Sequence, residues 1–289
     1  MSVFPLPFAM NEFTTQPWTF EEDLEHYAAA GVEHLELCEA KLDDDREHEQ
    51  LEALRHSGLT VCSVQPAVRT ATPSVSQPEP RKLDERIAAY RRSIERLAPE
   101  APGAVFVTNT GPALGGDMHA AMDDAVQFHR AVMPVALDLG VRLAIEPLNP
   151  ISLNQETCIW TYAQAVEFIE RVGSPDLGIC VDTWNLWQDP RLVDGLKAHP
   201  ELISILQVSD WRTPRSGMDR RSIGTGDIPT GELLHAVVDA GYTGPCVLEI
   251  FSQDVPDSLY DTDLQDLITR NRTALQDAWD AAPGAPSHA

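Results

Sequence analysis

The sequence predicts an α/β protein folded as a single (β/α)8 TIM barrel. Three observations carry this. Short β-rich apolar runs alternate with helical periods from one end of the chain to the other, in eight successive units. The strand segments are continuous apolar runs rather than alternating ones, as a parallel sheet covered by helices requires. The chain has 289 residues, and eight units need about 250. A doubly wound sheet would want a glycine-rich phosphate turn after its first strand, and the sequence has none there. One catalytic domain is expected over residues 1–280, followed by a disordered tail at 281–289 (AAPGAPSHA).

The elements follow in order. A first strand is expected near Phe8–Phe13. Thr19 then opens a helix, with Glu22 three residues on completing a capping box. The second strand is Val32–Glu39, and a polar helix over Leu42–His56 is closed by Gly58. Leu59–Pro66 is the third strand. The Pro-rich stretch Ala71–Pro80 is a long loop and a candidate lid. Leu83, Ile87, Tyr90, Ile94 and Leu97 recur at helical spacing. Ala104–Thr110 is the fourth strand, and His119–Leu139 is a long helix ending at Gly140. Val141–Leu148 is the fifth strand, followed by the helix Tyr162–Val172 and Gly173. Leu177–Thr183 is the sixth, followed by the short helix Arg191–Ala198. Ile203–Asp210 is the seventh, followed by Gly231–Ala240 and Gly241. Pro245–Ser252 is the eighth, and Leu264, Leu267, Ile268, Leu275 and Trp279 mark a last helix.

With 21 basic and 45 acidic residues the formal net charge is −24. That argues against affinity built on phosphate neutralisation in nucleic acid and against an anionic membrane surface. The five cysteines, Cys38, Cys62, Cys158, Cys180 and Cys246, show no CxxC spacing, and all but Cys158 fall in strand-like runs. Reduced thiols in a reducing compartment are expected. There is no basic, apolar leader at the N-terminus and no long apolar stretch, so a cytoplasmic location is expected. The nine histidines fall on helices, at strand starts or in the tail, and none ends a strand.

In a barrel of this kind the active site is built at the C-terminal ends of the strands. Those ends carry Glu36 and Glu39, Gln65, Asn109, Glu146, Asp182, Gln207 with Asp210, and Glu249. Glu146, Asp182 and Glu249 each follow an apolar run, where a carboxylate is costly unless paired or bound to metal. Three of them converging on one mouth demand a cation, and oxygen ligands suit Mg²⁺ or Mn²⁺ better than Zn²⁺. Trp184, Trp187 and Trp211 lie just past the sixth and seventh strands, where they pack the rim or wall a sugar ring. Arg212, just past the seventh, is the candidate for a substrate oxygen or carboxylate. Gly224-Thr225-Gly226 is a turn that could also offer N–H groups to phosphate.

The segments EPLN at 146–149, DTWN at 182–185, QVSDW at 207–211, GTGDIP at 224–229 and LEIFS at 248–252 together resemble the xylose-isomerase-like superfamily. That group includes sugar isomerases, ketose 3-epimerases, inosose and 3-dehydroshikimate dehydratases, and AP endonucleases of family 2. The resemblance implies a metal centre of Glu146, Asp182, Gln207 and Glu249 holding one divalent ion, Mn²⁺ or Mg²⁺ first, Co²⁺ or Zn²⁺ as alternatives. It implies that Glu146 and Glu249 exchange protons with an enediolate formed from a keto-sugar or related hydroxy-ketone. Asn185, Trp184, Glu36, Asp210 and Arg212 are the substrate-binding candidates. The epimerases carry His where this chain has Gln207 and Asn185; Gln at the first place is similar to the dehydroshikimate dehydratases. An isomerase or epimerase is therefore expected first, with a lyase of the same superfamily as the alternative and a non-catalytic barrel subunit third. The nuclease activity wants several site histidines and a basic surface, and neither is present. The expected partner is a small sugar-like substrate, not nucleic acid or membrane; self-association into a homo-oligomer is left open.

Overall fold

The computed structural model describes residues 3–213 and 217–282. Its eight described strands are β1 (Phe8–Asn11), β2 (His34–Cys38), β3 (Thr60–Gln65), β4 (Val105–Thr108), β5 (Arg142–Ile145), β6 (Leu177–Asp182), β7 (Ile203–Val208) and β8 (Cys246–Leu248). They pair in parallel in sequence order, and β8 pairs with β1, closing the barrel. The helices are α1 (Phe20–Ala29), α2 (Glu47–Ser57), α3 (Leu83–Leu97), α4 (Met118–Asp138), α5 (Tyr162–Val172), α6 (Thr183–Leu186), α7 (Leu192–Ala198), α8 (Thr230–Asp239) and α9 (Leu264–Ala281). The fold is the one the sequence predicts.

Local chemistry sets the boundaries. The Thr19 hydroxyl accepts from Glu22 N while Glu22 Oε2 accepts from Thr19 N, so α1 starts with a full capping box. Gly58 and Gly173 close α2 and α5 at φ +79° and +77°, where a Cβ would be strained. Helix α2 begins at Glu47 rather than Leu42. Asp43 turns its carboxylate onto Asp45 N, and Gln50 Oε1 accepts from Asp43 N; an Asx-type turn competes with the helix there. Helix α9 runs to Ala281, one residue into the expected tail, and 283–289, with His288, lie outside the described residues. The Ala71–Pro80 loop is tied down rather than free: Ala71 N and Thr72 N donate to Asn109 O and Thr110 O.

The strand period of two sorts the side chains. Ala9, Val107, Ala144, Cys180, Ile205 and Val247 point into the barrel and fill it, with Val105 and half-buried Cys62. Between the sheet and the helices lies the main core, with Leu35, Phe106, Leu143, Ile179, Leu206 and Leu248 each fully buried. Two residues past each of those six inward residues stand Asn11, Asn109, Glu146, Asp182, Gln207 and Glu249. The packing layer thus dictates that the next interior layer is polar. The five cysteines are free thiols. No helix of the described residues is long and apolar enough to cross a membrane.

Helices α8 and α9 meet at Gly231, where an added Cβ would lie 2.2 Å from the Ala278 carbonyl oxygen. Gly231→Ala should therefore cost about 1–3 kcal/mol, read as a lowered denaturation midpoint at unchanged slope. A midpoint equal to that of the parent would show that the two helices separate freely.

Candidate active site and metal centre

Four carboxylates end up inside the barrel: Glu36 on β2, Glu146 one residue past β5, Asp182 closing β6, and Glu249 one residue past β8. All are buried, Asp182 and Glu36 completely. Backbone pairing continues through two of them, since Glu146 N donates to Thr108 O and Glu249 N to Val208 O. Glu146, Asp182 and Glu249 each bring one carboxylate oxygen to within 4.8 Å of the others.

Amide side chains and one arginine hold this charge. Asn185 Nδ2 donates to Glu146 Oε1 at 2.9 Å and to Asp182 Oδ2 at 2.7 Å. Asn109 Nδ2 donates to Glu146 Oε2 at 3.2 Å. Asn11 Nδ2 bridges Glu36 Oε2 and Glu249 Oε1 at 2.8 and 2.9 Å, and Gln65 Nε2 donates to Glu36 Oε1. The Arg220 guanidinium reaches between strands, its Nη1 2.9 Å from Asp182 Oδ2 and 2.8 Å from Glu249 Oε2. It lies over the rings of Trp184 and Phe251, 4.8 Å from each centroid. Its backbone N–H donates to Phe251 O.

Every one of these carboxyls has its pKa raised. Burial is the first cause for Glu146, which is pushed up to about 7, and the Asp182 charge adds to it; Arg220, Asn109 and Arg69 pull the other way. Burial also raises Asp182, against the pull of Arg220. Glu249 stands well above the carboxylate range, through burial and the charges of Asp182, Glu36 and Glu146. Glu36 is raised by burial and held down by the amides of Gln207 and Asn11. A single guanidinium does not satisfy three converging carboxylates, and the all-oxygen donor set fits a divalent hard cation.

Several expected site residues are placed differently from the sequence-based expectation. Gln207 enters the layer, but its Nε2 donates to both oxygens of Glu36 (3.0 and 2.9 Å) and lies 3.4 Å from Glu249 Oε1. Its oxygen, the atom that would ligate a cation, accepts from the Cys180 thiol at 3.1 Å. Arg212 lies away from the carboxylate cluster, towards the surface, paired with Asp257 at 2.8 Å and Asp219 at 3.6 Å. Asp210 is turned to its own loop and accepts from the backbone N–H of Trp211, Gly226 and Ile228. That makes Gly224-Thr225-Gly226 a carboxylate-capped turn. Trp184 is buried beneath Arg220 rather than open as a wall. Glu36 anchors Asn11, Gln65 and Gln207. Asn185 does reach the centre, because α6 starts at once from Asp182, whose Oδ1 caps Trp184 N, and turns Asn185 back over the triad.

Asn11 and Arg220 were not singled out from sequence. Asn11 ends the first strand and could have been found by the same strand-end rule. Arg220 sits in a loop eight positions past Arg212, and only the excess of carboxylate charge signals that some arginine must come in.

A barrel with acidic strand ends of this kind defines a class, and comparison identifies it. The model of the xylose isomerase-like TIM barrel family matches residues 24–271, and the chain belongs to that family. It is 26% identical over 121 residues to a ketose 3-epimerase of Arthrobacter globiformis, covering 42% of this chain and 38% of that protein. It is 25% identical over 182 residues to a D-psicose 3-epimerase of Agrobacterium fabrum, covering 55% and 60%. The matches thus span less than two thirds of either relative's length. Among solved structures, a Sinorhizobium meliloti protein superposes with TM-score 0.82 at 24% identity over 94% of this chain and 98% of that one. An IolI protein with a bound zinc atom gives 0.78 at 18% identity, over 96% and 100%.

The raised carboxyls give a pH signature. A carboxyl whose folded pKa exceeds its unfolded value stabilises the fold fully below the unfolded value and loses that contribution as pH rises through the folded one. For Glu146 the window runs from its ordinary 4.5 to about 7. Metal-free protein should lose Tm between about pH 5 and pH 8, and Mn²⁺ should raise Tm more at the upper end than the lower. An Mn²⁺ effect on Tm that is equal at both ends would contradict a metal seat on these carboxylates.

Proposed function

We propose that this protein is a divalent-metal-dependent epimerase or isomerase acting on a keto-sugar or related hydroxy-ketone. The carrying observation is the convergence of Glu146, Asp182 and Glu249 in one buried cluster, in a chain whose matched relatives include two 3-epimerases. The zinc in a structural neighbour supports the metal. Glu146, Asp182 and Glu249 would hold it, and when bound it would supply Lewis-acid polarisation of a carbonyl and its adjacent hydroxyl.

The chain's own residues supply the proton chemistry. Glu146, raised to about 7, is poised to take a proton from carbon beside the carbonyl near neutral pH. Glu249, likewise raised by burial, is suited to return a proton. Asn185 and Asn109 fix the two Glu146 oxygens, so the base is oriented before substrate arrives. Arg220 stabilises negative charge developing on substrate oxygen.

A lyase reading shares the proton abstraction and differs in expelling a β-leaving group. It is favoured by Gln207 and Asn185, which stand where epimerases of the superfamily carry His.

Incubating Mn²⁺-loaded protein with keto-sugars in D₂O decides between them. Deuterium in an isomeric product is expected for the epimerase; an unsaturated product identifies the lyase. Glu146→Gln should slow exchange by at least about 100-fold, and exchange at the parent rate in that variant would remove Glu146 from the chemistry.

A further inference from the structure

We infer that the site takes a substrate bearing an anionic group, a carboxylate or phosphate, and that Arg69 receives it. This deepens the keto-sugar reading and rests on it.

Arg69 is half-buried, and no hydrogen bond, ion pair or ring contact engages its guanidinium among the described residues. It is alone in this. Every other described arginine pairs with a carboxylate, donates to protein oxygens, or stands exposed, as Arg92, Arg142 and Arg191 do. In a chain with 45 acidic and 21 basic residues, a partner for this arginine would be easy to supply. Keeping a partly desolvated cation without one is costly unless a ligand provides the counter-charge.

The backbone places Arg69 at the centre's edge and fixes it there. Its N–H donates to Gln77 Oε1 at 2.9 Å. Its carbonyl accepts from Asn109 N at 2.8 Å, and the Asn109 side chain holds Glu146 Oε2. The next residue, Thr70, bridges to Asn109, and its carbonyl is held by the fully buried Arg86 at 2.6 Å. The Arg69 charge adds to those that hold the Glu146 carboxyl down against burial. A guanidinium carried on this pinned backbone, with no protein partner among the described residues, is matched to a planar carboxylate or a phosphate, which it can bind in bidentate fashion. The net charge of −24 repels anions at long range, so their recognition must be local, at such a residue.

The test titrates Mn²⁺-loaded protein with three probes, followed by calorimetry: D-fructose (neutral), D-fructose 6-phosphate (phosphate) and 5-keto-D-gluconate (carboxylate). One anionic probe should bind at least about tenfold tighter than D-fructose; which one it is assigns the anion. In Arg69→Gln that preference should disappear, in Arg69→Lys it should partly return, and in the exposed-site variant Arg92→Gln it should persist. Anionic probes binding no tighter than D-fructose, or a preference that survives Arg69→Gln, overturns the inference. Proton exchange in D₂O on the same probes separates this from the functional proposal. Exchange on D-fructose alone, unaltered by Arg69→Gln, sinks the anion site and leaves the enzyme. Arg69-dependent binding without exchange on any probe upholds the anion site and sinks the epimerase.

Discussion

The structure is organised around a repulsion: four carboxylates on the inner face of one barrel, three of them within 4.8 Å of each other. Nothing in the packing layer beneath, built from alanine, valine, isoleucine and thiol groups, can offset them. The burden falls on Asn11, Gln65, Asn109, Asn185 and Gln207, each of which points its NH₂ at a carboxylate oxygen. Amides suit this task because they donate hydrogen bonds without adding net charge. They lower the cost of burial but leave the electrostatic demand for a cation in place.

Arg220 meets part of that demand, and a good share of the mouth exists to position it. Its loop is pinned by the backbone bridge between Asp210 and Arg221 and by the Asp210 carboxylate on Gly226 and Ile228. Gly226 has to be glycine, since a Cβ would lie 1.9 Å from the Trp211 carbonyl oxygen. The rings of Trp184 and Phe251 each lie 4.8 Å from the guanidinium, and Phe251 leans on Phe13 at 5.3 Å. Tyr260 ties the Phe13 and Ile250 carbonyls together. Asp210 and Trp184, expected from sequence as substrate contacts, brace Arg220 and its loop in this structure.

The barrel and its acidic ends are legible in sequence because they follow from local rules. Continuous apolar runs mark interior strands, helical spacing and glycine stops mark α3 and α5 at the residues observed, and a period of two fixes which strand-end side chains face inward. What is not legible depends on loops. Helix α6 has four residues, too few for any periodicity, yet it brings Asn185 to the centre. Arg212 and Arg220 are both arginines beyond β7; sequence distance favours Arg212, but Arg220 is the one that reaches the carboxylates. Arg212 is drawn off by Asp257 and Asp219, which come from a later loop and from further along its own. Gln207 stands in the layer where the sequence puts it, but the neighbour that takes its amide, Glu36, is 171 residues away.

That capture has a consequence for charge balance. With its NH₂ on Glu36 and its oxygen on Cys180, Gln207 solvates the fourth carboxylate, which Asn11 also ties to Glu249 of the triad. The three negative charges of the triad match one divalent ion together with Arg220, while Glu36 keeps its own charge beside them. A neutral substrate would preserve that balance. An anionic one would disturb it unless a further cation stood at the rim without a partner of its own. Among the described residues the half-buried Arg69, held beside Glu146 through Asn109, is that cation. The arrangement therefore reads most simply as two compartments of charge: an inner one closed by metal and Arg220, and an outer one whose single guanidinium is balanced only when substrate is bound.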